Sequence, residues 1–432
     1  MRIRKSPLLV AVVATALLAG CSGGSTPEGE ATSGGPGAEA TDTGPGDACA
    51  GGADATVTFW HTYSTDSPEN KQLTDVVLPE FAKQCPNITV DSVVMPYDGL
   101  HDQLIAAVSG GGLPDVMRMD IIWTPEFANL GVLAAVDDLP GFSDLASEVL
   151  PGPLSTNEFE GSHYGVPLDT NTQVLVYNTS LVDEAPTTLD ELRATAEELK
   201  ADGKYGLALG GAGPWNVFPW FWTAGGTVTD EDYTKATGYL DSAKSIEALQ
   251  WLVDLNNDGL LGPSSVGGDP DSWGGFTSED YAMLSDGPWF FAAMQADLGD
   301  KLAGAPIPEG PGGSISVVGG ENLVIFNTTA QQDAAWAFTQ FMLSDFAQSA
   351  MAEVGQLPVT QAGLQSAAVT GVDYLAPYVE QLQTAQARLP VPAWPQIDTI
   401  LMDSFMAALR GTKTVEQALT DAAGQIDPLL AS

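Results

Sequence analysis

The chain has 432 residues, with 56 Asp and Glu against 15 Lys and Arg, for a formal charge of −41. Such acidity argues against nucleic acid, which needs clustered basic residues, and against direct docking on anionic lipid. Three histidines, far apart, rule out the commoner zinc spacings.

In chain order, the first twenty residues divide into three pieces. Met1 to Lys5 is a short cationic stretch, Leu8 to Ala19 is apolar apart from Thr15, and Leu18-Ala19-Gly20-Cys21 follows. The apolar stretch is long enough for a signal-peptide core but too short to span a bilayer, which takes roughly 20 apolar residues. The tetrapeptide looks like a bacterial lipobox, so residues 1–20 read as a lipoprotein signal peptide and Cys21 as the lipidated residue. An ordinary leader with an incidental cysteine is the alternative. Residues 21–54 hold almost no bulky apolar group and read as a disordered tether, with an end-to-end distance on the order of 30 Å. The expected location is the extracellular face of the bacterial cell membrane, lipid-anchored.

The remaining chain is about 380 residues, natural for two domains. Thr56–Trp60 predicts a strand, and Leu73, Val76, Val77 and Phe81 recur at helical spacing. A strand at Ile88–Val94, a helix at His101–Val108 and a short strand at Val116–Met119 complete a βαβαβ order, which implies a parallel sheet covered by helices. Cys49 and Cys85 each lie shortly before a strand. If those strands are parallel neighbours, both cysteines reach the same sheet edge and a bridge is open to them, with two free thiols as the alternative. Further on, Thr188-Leu189-Asp190-Glu191 predicts a capping box, Asp241–Leu255 an amphipathic helix, and Thr414-Val415-Glu416-Gln417 another capped start. The fold class is α/β in two lobes, with ligand expected at the carboxyl ends of the strands.

Catalytic signatures are scarce. No nucleophile elbow, P-loop or dinucleotide fingerprint occurs. Asp254-x-Asn256-x-Asp258-Gly259 opens like a calcium loop, but position twelve is Ser265, and a helix ending in a left-handed glycine explains it better. Tryptophans are plentiful instead. Trp215, Trp220 and Trp222 fall close together, and Trp60, Trp123, Trp273, Trp289 and Trp394 sit at strand ends or in Gly/Pro-rich turns. An indole face matches the C–H face of a pyranose, while Asp and Asn can take sugar hydroxyls; core packing is the competing role for each ring. Trp251 and Trp336 lie within helical patterns and read as core.

Several short pieces then occur in a telling order. They are Thr56–His61; Leu113-Pro114-Asp115-Val116 with Asp120 and Trp123; Tyr164-Gly165-Val166-Pro167 with Asn171 and Leu175–Asn178; Gly287-Pro288-Trp289; and Gly319-Gly320-x-Asn322-Leu323. Together they resemble the carbohydrate-binding members of extracellular solute-binding protein family 1, which serve ABC importers. The resemblance implies a two-lobe, periplasmic-binding-protein-like (type II) fold with hinge crossovers. It places lobe 1 at 55–167 with 322–355, and lobe 2 at 168–320 with 356–432. It further implies a non-enzymatic, cofactor-free receptor that takes a neutral oligosaccharide, works with permease subunits and is a monomer.

Carried over by position, the ligand contacts on lobe 1 are Trp60, His61, Asp120 and Trp123. On lobe 2 they are Asn171, Trp289 and the Gly319-Gly320 backbone, with Trp222, Trp273, Arg388 and Trp394 placed less firmly. Asp115 could orient the site or cap a local backbone N–H. A secreted glycoside hydrolase, with tryptophan platforms and paired carboxylates, is the alternative reading; a receptor for another polar solute is a further one.

Overall fold

The computed structural model of the chain describes Cys49 and residues 52–431. Cys21, the leader and most of the tether lie outside the described residues.

The first strand, β1 (Ala55–His61), buries Val57, Phe59 and His61 on one face, as alternation demands. A helical run then covers Pro68–Gln84. Ser67 opens it by accepting a hydrogen bond from the Asn70 N–H, and Leu73–Val77 form a π turn just before Pro79. Proline has no N–H for the carbonyl four residues back, so the run loosens where that bond is missing. Parallel to β1 on its two sides are β2 (Ile88–Val94) and β3 (Val116–Asp120). A two-strand hairpin, β4 (Glu158–Phe159) and β5 (Ser162–His163), precedes β6 (Val166–Thr172).

Only Gln173 separates β6 from β7 (Val174–Asn178), yet the two belong to different sheets. The second sheet consists of β7, β8 (Tyr205–Ala208), β9 (Tyr281–Asp286) and β10 (Leu302–Ala305), ordered β10-β7-β9-β8. It is mixed: β8 runs parallel to β9, while β7 is antiparallel to both β9 and β10. The chain returns through β11 (Ser316–Ile325). That strand pairs with β12 (Ala385–Gln386) at its start, with β6 along its middle and with β3 at its end. The first sheet therefore runs β12-β11-β3-β1-β2, with β6 also on β11. The chain crosses between the two sheets at β6–β7 and again into β11, and passes back after Met351, where Leu357, Leu364 and Tyr378 join the core around Val174 and Leu284 of the second sheet.

Each sheet has its own core. Phe59, Phe81, Phe338 and Trp336 pack together with the helix Gln332–Met342 on the first. Trp220, Phe221, Trp394 and Phe405 pack between the helices Pro214–Thr223 and Trp394–Leu409 beside the second. Trp336 is buried and donates its indole N–H to the Pro140 carbonyl, and Trp251 stacks on Trp220.

The predicted helix starts are visible in atomic detail. Thr188 accepts from the Glu191 N–H, but the Glu191 carboxylate reaches back to the Thr187 N–H, one residue earlier than in a capping box. Thr414 accepts from the Gln417 N–H. Gly259 is left-handed with φ 65°, and Asp258 is taken up by an ion pair with Arg193. No cluster of metal-ligating side chains occurs among the described residues. Cys49 and Cys85 form a disulfide at the amino-terminal edge of β2, opposite the end of the sheet that carries Asp120.

Candidate functional site

Parallel strands leave their carboxyl ends uncovered where the covering helices turn away, and a crevice forms there. In this chain it is a cavity of about 1030 Å³. The first sheet supplies Asp120 at the end of β3, the Thr62–Glu69 segment after β1, and Glu321 on β11. Asn171 and Gly319-Gly320 line it from the paired crossing strands. Trp215, Trp273 and Trp289 face them from helices around the second sheet, and Arg388 comes from the loop after β12.

The aromatic wall is built in two steps. Trp215 lies in the first turn of Pro214–Thr223, and Trp289 opens the helix Pro288–Leu298. Their rings stack with centroids 5.9 Å apart and planes inclined by 29°. Gly287 makes room for this, because a Cβ there would lie 2.2 Å from the Trp289 ring. Trp273 donates its indole N–H to Asp286 at 2.6 Å and packs edge-on against Phe290. Arg388 lies over the Trp215 ring, 5.3 Å from its centroid.

The polar wall centres on Asp120. One carboxylate oxygen accepts from the Tyr97 hydroxyl at 2.8 Å. The other accepts from the Ile122 N–H and pairs with the Arg388 guanidinium at 3.5 Å. Asn171 Oδ1 and Arg388 Nε are buried without a hydrogen-bond partner among the described residues. Buried polar groups are normally satisfied, so an unpaired acceptor and an unpaired donor in one cavity suit a hydroxyl-rich ligand. Gly319 allows this closeness: a Cβ there would fall 2.1 Å from Asn171 Oδ1 and 2.8 Å from the Trp215 ring.

Beneath the cavity sits an ionic cluster on three adjacent strands. Arg118 of β3 pairs with Glu321 of β11 at 2.6 Å and Asp169 of β6 at 3.4 Å. It also donates to Thr62 and Gln356 and lies over the Tyr63 ring. Burial raises the Glu321 carboxyl well above the usual carboxylate range, against the pull of Arg118 and with the push of Asp169.

Seven of the residues singled out in sequence line this cavity: Asp120, Asn171, Trp273, Trp289, Gly319, Gly320 and Arg388. Five do not. Trp60 packs into a cluster with Met117 and Phe127. His61 is fully buried, hydrogen-bonded through Nε2 to Ser92 at 2.8 Å, and burial with the nearby Arg118 holds its pKa down to about 4. Trp123 is buried and stacks under Tyr97, so it supports the residue that reaches Asp120. Trp222 lies against Phe218 with ring centroids 4.3 Å apart, and Trp394 is fully buried in the same core. Trp222 lies in a helix that is buried at every position from Val217 to Thr223, and Trp394 opens a helix that buries Ile397, Leu401 and Phe405 beside it. Asp115 caps the Thr58 N–H at 2.8 Å.

Sequence reading passed over Tyr97, Arg118, Glu321 and the Thr62–Glu69 segment, and left open which of Trp215, Trp220 and Trp222 faces the cleft. For Trp215 a signal was present: Gly210-Gly211-Ala212-Gly213-Pro214 starts the helix at the cleft edge, and a first-turn side chain is nearest that edge.

Residues 64–349 match the bacterial extracellular solute-binding proteins. The chain belongs to this family. Among solved structures, this solute-binding protein is similar to the GacH receptor of Streptomyces glaucescens, known unliganded and with acarbose and an acarbose homolog. The two are 26% identical, with a TM-score of 0.80 over 87% of this chain and 98% of that one. The cyclic alpha-maltosyl-1,6-maltose binding protein of Arthrobacter globiformis is 26% identical, with a TM-score of 0.73 over 87% and 99%. The diacetylchitobiose binding protein of Streptomyces coelicolor is 24% identical over 334 residues, 73% of this chain and 76% of that one. As in the family, this is an extracytoplasmic, membrane-associated binding protein of an ABC importer.

Proposed function

We propose that this protein captures a neutral oligosaccharide between its two lobes and hands it to a membrane permease, with no covalent chemistry. The observation that carries this is the stacked Trp215–Trp289 pair facing Asp120, Asn171 and Arg388 across one cavity. Ring faces take the C–H faces of successive sugars, and the polar wall takes the hydroxyls. The names of the relatives above support a saccharide of a few units. Lobe 1 comprises 55–167 with 322–355 and lobe 2 comprises 168–320 with 356–432, and closing one on the other encloses the ligand. Cys21 carries the lipid anchor, the tether keeps a monomeric body within reach of the permease, and the protein acts at the extracellular face of the membrane.

A thermal-shift panel of mono-, di- and oligosaccharides tests this, since binding to the native state raises stability by RT ln(1 + [L]/Kd). Product analysis of the same mixtures accompanies it. Stabilisation with the sugar recovered intact is the expected result. Turnover would replace the proposal with a glycoside hydrolase, and no stabilisation by any saccharide would remove the sugar ligand.

A further inference from the structure

Asp286 closes β9 with its carboxylate turned toward the back of the aromatic wall, and it does not itself line the cavity. One oxygen accepts from the Trp273 indole N–H at 2.6 Å, and the other from the Gly287 N–H at 2.7 Å. The Trp289 side chain makes a further favourable contact with the carboxylate. No Lys, Arg or His pairs with it among the described residues. A carboxylate this enclosed is costly without a cation unless its oxygens are used as acceptors. Here the donors it meets belong to the platform itself.

The backbone carbonyl of the same residue accepts from the Tyr378 hydroxyl at 3.2 Å, so the anchor is fixed from behind. Gly287 follows, and the Trp289 ring folds back over it. The segment Asp286-Gly287-Pro288-Trp289 thus holds one indole through its carboxylate and sets another by chain direction. Burial pushes the Asp286 carboxyl up to about 6, with the Gly287, Trp273 and Trp289 groups opposing.

We infer that Asp286 is a positioning residue that locks Trp273 and Trp289 into one platform and so governs saccharide affinity without touching the saccharide. The inference rests on the sugar-binding reading for its effect on affinity, but not for its effect on the indoles. An aspartate suits the task where an asparagine does not. Two acceptor oxygens satisfy Trp273 and Gly287 together, whereas an amide turns an NH₂ toward one of two N–H donors.

The test uses the full chain with 15N-labelled indoles, assigned by single Trp→Phe variants. In the ligand-free wild type, the Trp273 indole N–H should exchange with solvent at least about a hundredfold more slowly than a free indole; fast exchange would overturn the inference whether or not any variant folds. Asp286→Asn should move the Trp273 and Trp289 indole signals and leave those of Trp251 and Trp336 in place. Affinity for maltotriose should fall about tenfold in Asp286→Asn and several-fold in Trp273→Phe. In the double variant it should fall no further than in the weaker single, because Phe removes the conflicting N–H. Fully additive losses, or unmoved indole signals, would sink it. If wild-type protein binds no saccharide, the sugar reading fails while the exchange and signal-shift results still decide the role of Asp286.

Discussion

Arg388 reaches Asp120 across the cavity, Nη2 to Oδ1 at 3.5 Å, from a position 268 residues further along the chain. The pair joins the polar wall on β3 to the aromatic wall, because the same guanidinium lies over Trp215. Both side chains are largely buried, and the pair offsets part of the charge that each carries there.

Asp120→Asn removes that compensation with little change in shape. Hydrogen bonds to charged groups contribute about 1.5–3 kcal/mol, so affinity for the best-stabilising saccharide should drop at least about tenfold. Titration calorimetry measures it; an unchanged Kd would take Asp120 out of the site.

Trp289→Ala and Trp215→Ala should each weaken binding by about 1 kcal/mol or more, with native stability changed much less. Trp222→Ala separates the two roles of tryptophan here. Its ring is buried against Phe218, so truncation should cost about 3–5 kcal/mol of stability. Urea unfolding and calorimetry on the same variants would show whether the two sets of effects divide in this way.

His61 predicts a pH dependence with a definite sign. Its pKa is held at about 4 in the folded protein against an ordinary 6.5, so between those values the unfolded chain binds the proton and the folded one does not. Stability from this group is therefore whole above pH 6.5 and is lost as pH falls toward 4, by up to about 3 kcal/mol. His61→Gln lacks the term. The wild-type minus variant difference should shrink as the buffer is taken from pH 7 to pH 4, and a flat difference would contradict the burial account.

Breaking the Cys49–Cys85 bridge, by Cys49→Ser with Cys85→Ser, frees a loop of sequence separation 36. Loop-closure entropy puts the cost at about 3–4 kcal/mol. The urea midpoint should fall accordingly while saccharide affinity stays constant, because the bridge lies at the edge of the sheet away from Asp120. A change in affinity would mean the edge communicates with the cleft.

Arg118→Met should be among the most destabilising single changes. It strands the Glu321 and Asp169 carboxylates in the buried seam where β3, β11 and β6 meet, a loss of about 3–5 kcal/mol. Adding Glu321→Leu should recover part of that loss, which thermal unfolding would register.

Local chemistry was enough to read the elements. The βαβαβ order, the caps at Thr188 and Thr414 and the left-handed Gly259 depend on residues within one turn or strand of one another, so they are legible without tertiary information. The cavity residues legible in sequence, such as Asp120, Asn171 and Trp289, end strands or open turns. Arg118 and Glu321 sit within strands instead, and nothing local distinguishes them from residues that meet solvent.

What the sequence alone determined is therefore the element order, the two-lobed α/β plan and the kind of groups a sugar would meet. Only the tertiary structure decided which tryptophans line the cavity. An indole has the same hydrophobic value whether it fills a core, as Trp222 and Trp394 do, or walls a cleft, as Trp215 and Trp289 do. Periodicity reports that a face is covered, not by what. The meeting of Arg388 with Asp120 is likewise a product of chain return, since β11 and the loop after β12 bring together residues that share no local pattern.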